Sequence, residues 1–270
     1  MKNKKLIVMT GTDLRHAYFL NHLKSQFTVL AVFEESVLYP EPSFANEEER
    51  RAWDWFFSRR RDYENRVLGS SRDLPLVNQP EVIPMAPGTL NSPGTLARIK
   101  NFQPDGLAIF GTSLLEPEVL RCLAGRIFNL HVGLSGYCRG SFCNFWPVHN
   151  LELESLGATV HRVEPGIDTG DIAAQESIGL DSEDDEQTLA GKTLILGTRL
   201  MIATLHNWQQ GTLITRPQQK TGRLYLKRDL TAGAILRVKR MVESGELRNR
   251  IAEKIEGGMG KRRGAQGREK

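Results

Sequence analysis

Cysteine is scarce in this chain: three residues in 270, Cys122, Cys138 and Cys143. An odd, small number builds no even disulfide framework and points to a reducing compartment. Cys138 and Cys143 with His149 fit no standard zinc spacing, so no metal is expected. Long apolar runs are missing too. Nothing approaches the ~20 residues of a membrane span. The start offers only the four-residue run Leu6-Ile7-Val8-Met9 behind its lysines, too short for a secretory signal. A cytoplasmic protein with no membrane partner is expected. No Gly-x-Gly-x-x-Gly or Walker loop occurs, which removes support for a dinucleotide or nucleotide-hydrolysis reading. Excess charge is equally thin: of a net +4, the stretch from Glu256 to Lys270 carries +3. The remainder has no basic stripe for a nucleic-acid backbone, so nucleic acid is not the expected partner. That Gly-rich basic end, 256–270, reads as a disordered tail.

What is present is an alternation of apolar runs and amphipathic stretches. Leu6 to Met9, the turn Thr10-Gly11-Thr12-Asp13 and the spaced apolar residues Leu14, Tyr18, Leu20 and Leu23 read strand, turn, helix. Thr28 to Phe33 and Asp105 to Phe110 are further strands, and Ser92-Pro93 starts a helix with Ser92 as N-cap. A helix over Pro117 to Ala124 feeds a strand from Arg126 to Val132, and Thr159 to Val163 is another strand. A long helix follows, Gln187 to Trp208. The expected class is α/β with a doubly wound, mainly parallel sheet over residues 1–211. Beyond Gly211 a small C-terminal appendage, 212–255, offers a short strand from Thr212 to Ile214 and helices near 231–243 and 245–255. Residues 46–68 look like a helical insertion; Trp53, Phe56, Phe57, Arg60 and Val67 recur at helical spacing, and Trp53 and Phe57 are read as core packing before a substrate lid. Ligands of such sheets bind outside the carboxyl ends of the strands, where Gly11, Gly111 and His131 fall.

Polar side chains on the run Arg126 to Val132 carry the chemistry. Asn129 and His131 stand two apart on an apolar strand, so both side chains share one face. Asp168, in Gly166-Ile167-Asp168-Thr169-Gly170-Asp171, can be brought in by a later loop to orient and charge the imidazole. Amide, imidazole and carboxylate together stabilise an oxyanion and manage a proton. As merely satisfied buried polar groups they would be unusual neighbours.

Phe128-Asn129-Leu130-His131, Arg139-Gly140, Gly157-Ala158-Thr159-Val160-His161-Arg162 and the Asp168 block together resemble the folate-dependent formyltransferases, which include glycinamide ribonucleotide, methionyl-tRNA and amino-sugar N-formyltransferases. The match is strongest over about 103–175, with Leu114-Leu115-Glu116-Pro117 and Ala124-Gly125-Arg126 upstream. The resemblance implies a Rossmann-like formyltransferase fold, 10-formyltetrahydrofolate as co-substrate without a metal, a small-molecule amine as acceptor, and a homodimer as an allowed assembly. It assigns Asn129, His131 and Asp168 to catalysis, and Ser113, Leu114, Leu115 with Val163, Glu164, Gly166 and Ile167 to the folate pocket. Gly11, Thr12, Arg15, Arg139 and His161 are its candidates for the acceptor side, with Arg15 or Arg139 on an acceptor phosphate.

The chain also departs from the family. Val132-Gly133-Leu134-Ser135-Gly136 stands where Pro-Ser-Leu-Leu-Pro is common, and Asp13 in the first turn would repel a phosphate. The expected reaction is therefore formyl transfer to an amino sugar or sugar nucleotide, with glycinamide ribonucleotide next. A 10-formyltetrahydrofolate hydrolase and a non-catalytic folate-binding module are the other two classes.

Overall fold

The computed structural model describes residues 4–36, 42–218 and 222–266, with side chains to residue 257. The first half runs β1 (Leu6–Thr10), α1 (Leu14–Lys24), β2 (Val29–Glu35), α2 (Glu47–Leu68), β3 (Glu81–Met85), α3 (Pro93–Phe102), β4 (Gly106–Phe110) and α4 (Pro117–Cys122). The second runs β5 (Ile127–His131), β6 (Cys138–Gly140), α5 (Trp146–His149), β7 (Gly157–Arg162), β8 (Ile172–Ser177), α6 (Glu186–Gln210), β9 (Arg223–Tyr225), α7 (Ala232–Glu243) and α8 (Glu246–Gln266).

Seven strands form one sheet in the order β3-β2-β1-β4-β5-β7-β8. The first five are mutually parallel, and β7 and β8 run antiparallel at one end. The chain thus winds outward from β1 in both directions, and β1 and β4 flank the point where strand order reverses. Parallel central strands are covered on both faces and are correspondingly apolar: every residue of β1 and β4 is buried. One face packs Val8, Phe19, Phe128 and Val160 against α6 through Leu194 and Met201. The other packs Ile7, Phe33, Ile109 and Ile127 against Ile99 of α3 and Val119 of α4.

The helix starts follow the caps. Ser92 Oγ accepts the Thr95 N–H at 3.2 Å, and Asp185 accepts from the N–H groups of Gln187 and Thr188 at 3.0 and 2.8 Å. Two strands escape the periodicity. β3 is an edge strand that contains Pro84 and exposes Val82, and β8 reads Ile-Ala-Ala-Gln-Glu-Ser, polar along its free edge.

The segment after Gly211 is more than an appendage. β9 pairs in parallel with β6. Val238 and Met241 of α7 and Leu247 and Ile251 of α8 share a core with Phe56 of α2 and with Cys143, Phe145 and Trp146. The stretch Thr212 to Ile214 forms no strand, and Ile214 is among the most exposed apolar residues. The expected tail, 256–270, falls almost wholly on side chains outside the described residues.

α2 buries Ala52, Phe56, Tyr63, Glu64 and Leu68. Trp53 and Phe57, expected to pack in the core, are partly buried, lie against the core around Phe56 and pack on each other with ring centroids 4.5 Å apart. Cys138 and Cys143 are joined as a disulfide, with Cα atoms 5.6 Å apart, while Cys122 is free. This departs from the reduced state expected from the odd count: the tight turn after β6 returns the chain to bridging distance, and the third cysteine masks the pair. Among the described residues no helix is long and apolar enough to cross a membrane.

Candidate active site

β4 and β5 pair in parallel with Ile109 opposite Asn129, and β5 and β7 pair antiparallel with Asn129 opposite His161. That register sets an amide and an imidazole side by side at one sheet edge. Asn129 Nδ2 lies 3.1 Å from His161 Nε2 and donates to Asp168 Oδ1 at 3.4 Å. The loop after β7 carries Asp168 back over the strand ends with φ +49°, a left-handed conformation that aspartate tolerates better than most residues.

Asp168 joins all the polar groups. Its Oδ2 lies 3.3 Å from His131 Nδ1 and accepts the Gly140 N–H at 2.7 Å, and its Oδ1 lies 3.2 Å from His161 Nε2. Burial alone would raise the Asp168 pKa. The His131 charge, followed by the hydrogen bond and charge of His161 and the Gly140 N–H, outweighs burial and holds the carboxyl well below the usual carboxylate range. Gly140 is required here by space: it has φ +85°, and a Cβ would run into the Tyr225 carbonyl of β9.

His131 is 5% exposed, and its two nitrogens have different partners. Nε2 faces the Cys138 carbonyl at 2.9 Å, so it carries a hydrogen, while Nδ1 faces the Asp168 carboxylate.

These groups open onto one cavity of about 520 Å³. One half is lined by Ser113, Leu114, Leu115, Val163, Glu164, Gly166 and Ile167, together with Asn129, His131, His161 and Asp168. Leu114 is 62% exposed on its rim. A flat apolar slot edged by backbone groups suits a fused heteroaromatic ring. The other half is lined by Arg15 and His16 of α1, Arg60, Tyr63 and Glu64 of α2, Gly191 of α6, and Lys227.

Three residues singled out in the sequence fall elsewhere. Gly11, Thr12 and Arg139 do not line the cavity; Arg139 Nε instead donates to the Gly222 carbonyl at 3.0 Å. Arg15 lines it, yet is engaged by Asp13 and by Glu64 Oε1. The crevice at the strand-order reversal is filled by His16. Its ring leaves no room for a Cβ at Gly11 or Gly111, and Nδ1 accepts the Asp13 N–H at 3.3 Å. Burial, with a smaller effect from Arg15, lowers its pKa well below the ordinary imidazole value, so it is neutral. His16, Arg60, Tyr63, Glu64 and Lys227 were not legible as cavity residues. Their partners lie far off in sequence, as Arg15 and Glu64 show across 49 residues.

A family model described as formyl transferase matches residues 71–205, half of the chain. The chain belongs to the formyl transferase family. The methionyl-tRNA formyltransferase of Nitrosomonas europaea is 30% identical over 164 residues, which cover 59% of this chain and 47% of that protein. The chain spans less than half the length of the curated relatives it matches. Among solved structures it resembles the phosphoribosylglycinamide formyltransferase from Anaplasma phagocytophilum, with TM-score 0.57 and 14% identity over 83% of this chain and 99% of that one. It also resembles the formyltransferase PseJ from Anoxybacillus kamchatkensis, solved with UDP-4,6-dideoxy-4-formamido-L-AltNAc and tetrahydrofolate, with TM-score 0.51 and 17% identity over 87% and 97% of the two chains. At such identities these likenesses carry the fold.

Proposed function

We propose that this formyl transferase family chain moves a formyl group from 10-formyltetrahydrofolate to the primary amine of a small molecule, an amino sugar or sugar nucleotide before glycinamide ribonucleotide. The observation that carries this reading is the geometry of the strand ends, with His131 held between the Cys138 carbonyl and Asp168 and Asn129 beside them. The donor, when bound, supplies an electrophilic formyl carbon; the slot of Ser113 to Leu115 and Val163 to Ile167 would hold its ring system.

The roles then follow from charge. In the reaction the amine nitrogen bonds to the formyl carbon, the bond from that carbon to the folate nitrogen breaks, and one proton passes from amine to leaving nitrogen. The Asn129 amide supplies hydrogen where the formyl oxygen gains negative charge, a preorganised donor contributing ~3–4 kcal/mol. His131, with both ring nitrogens engaged by the Cys138 carbonyl and Asp168, acts by holding Asp168 in place. Asp168, with its pKa held low, is a poor base. It serves by joining the polar groups of the cluster, and the amine's proton travels through water.

Acceptor selection belongs to the second half of the cavity. His16 and Asp13 occupy the first turn, which disfavours a phosphate there. The Arg15–Glu64 pair, 3.0 Å apart, suits sugar hydroxyls, and Arg60 and Lys227 place positive charge along the same half.

The test uses pure protein with 10-formyltetrahydrofolate alone and then with a panel of amines. Formamide product in the presence of an amino sugar or its nucleotide is the expected result. Formate from donor alone identifies a hydrolase, and donor binding without turnover across the panel identifies a binding module; either overturns the transferase reading.

A further inference from the structure

The loop from Gly111 to Glu116 joins β4 to α4 without regular structure, and its residues Gly111 to Leu115 line the cavity. A loop of this kind must satisfy its backbone groups with side chains or water. Two side chains that do not themselves line the cavity meet that need. Glu35, the last residue of β2, is 2% exposed. Its Oε2 accepts the Ser113 N–H at 2.6 Å, and its Oε1 accepts the Ser113 hydroxyl at 2.8 Å and the Gly88 N–H at 2.7 Å. Asn91 holds the next stretch: Nδ2 donates to the Leu114 carbonyl at 2.8 Å, and Oδ1 accepts the Glu116 N–H at 2.8 Å.

We propose that Glu35, supported by Asn91, is a positioning group for donor binding, clamping the Ser113–Leu115 loop in its ligand-ready shape before the donor arrives. The inference rests on the folate reading of that loop given above. The physical case has two parts. A buried carboxylate is costly unless its oxygens are matched by donors, and here three donors converge on one side chain. All of them belong to two turns, at Gly88 and Ser113, so the carboxylate fixes loops and not the sheet beneath. With the loop already ordered, the donor does not meet the ordering cost on binding, which appears as affinity. Neither Glu35 nor Asn91 reaches the Asn129–His131–Asp168 cluster, so the chemical step is insulated from them.

The experiment titrates wild type, Glu35→Gln and Asn91→Ala with 5-formyltetrahydrofolate, and measures kcat and both KM values with 10-formyltetrahydrofolate and a working amine. Glu35→Gln keeps the side chain's shape but turns an amide N–H toward at least one backbone or hydroxyl donor. The probe Kd and donor KM are expected to rise about tenfold, the cost of one buried donor left unmatched. The kcat and acceptor KM stay within about twofold of wild type. Asn91→Ala, at a half-exposed turn, shifts the same two constants by a smaller factor and guards against a Glu35 variant that does not fold. Wild type that fails to bind the probe overturns the folate reading and this inference with it. Wild type that binds, with both variants binding equally well, overturns the clamp alone. So does a variant whose kcat falls while its donor Kd is unmoved.

Discussion

The two halves of the cavity have different origins in the chain. The half proposed for the donor, Ser113 to Leu115, Asn129 to His131 and His161 to Asp168, lies wholly within the segment that matches the family. Of the other half, Arg15, His16, Arg60, Tyr63, Glu64 and Lys227 lie outside that segment and Gly191 lies inside it. In the first half, register fixes Asn129, His131 and His161 on paired strands, while Ser113 to Leu115 and Asp168 come from loops. The second is built by α1, α2, α6 and the turn at Lys227, packing across long sequence separations. On the proposed function, the chemistry falls to residues inside the family-matching segment and acceptor selection largely to residues outside it.

The strongest way to break this division is at the catalytic cluster. His131→Ala is expected to lower kcat by about 10²–10⁴-fold, the range for disabling a preorganised donor or acid–base group. Donor Kd should change far less. Asp168→Asn is the cleaner variant, because asparagine also accepts the left-handed backbone at φ +49°. It removes the negative charge beside His131 and keeps a side-chain oxygen near the Gly140 N–H. Turnover close to wild type in either variant would remove the catalytic assignment.

The same carboxylate predicts a pH signature in stability. Its folded-state pKa is held below its unfolded value of about 3.9. Stability from Asp168 is therefore fully present above that value and is lost as pH falls through the folded pKa. The melting-temperature gap between wild type and Asp168→Asn should be present near pH 5 and should narrow progressively below about pH 4. A gap that widens on acidification contradicts the lowered folded-state pKa.

Legibility in the sequence tracks the same division. Asn129 and His131 stood out because a two-residue period on an apolar run is a local signal, and Asp168 because its loop carries a motif. The central strands were legible from continuous apolar runs, as in β1 and β4, both fully buried. β3 and β8 were not, since edge strands carry Pro84 or polar residues and lose the pattern. Glu35 gave no signal: a charged residue ending a strand looks like a solvated one until the Ser113 loop folds over it. The apolar face of α2 was legible through Phe56, with Trp53 and Phe57 packed at its margin, whereas the buried Tyr63 and Glu64 were not.

A middle-sized effect tests the acceptor half directly. Glu64→Ala removes one carboxylate partner of Arg15, leaves its pair with Asp13 and opens the wall beside Tyr63. The acceptor KM should rise about tenfold, as expected for losing a hydrogen-bonded charged group in a pocket, with the donor KM unchanged. The reverse pattern, donor KM up and acceptor KM steady, would erase the division between the two halves.

The smallest expected effect is at Arg139, which the family resemblance points toward the acceptor. Its side chain turns away from the cavity and donates to the Gly222 carbonyl at 3.0 Å, tying β6 to the approach of β9. That single hydrogen bond is half-buried, and its net contribution is about 1 kcal/mol. Arg139→Ala should therefore lower Tm by only about 2–4 °C for a chain of this size. Gly140 is the neighbour whose N–H holds Asp168, and its position is fixed independently by its close packing on Tyr225. Turnover and both KM values should accordingly stay within about twofold of wild type. A raised acceptor KM with unchanged Tm would instead extend the acceptor site onto β6, and would mean that the acceptor reaches past the cavity wall to the two-stranded sheet.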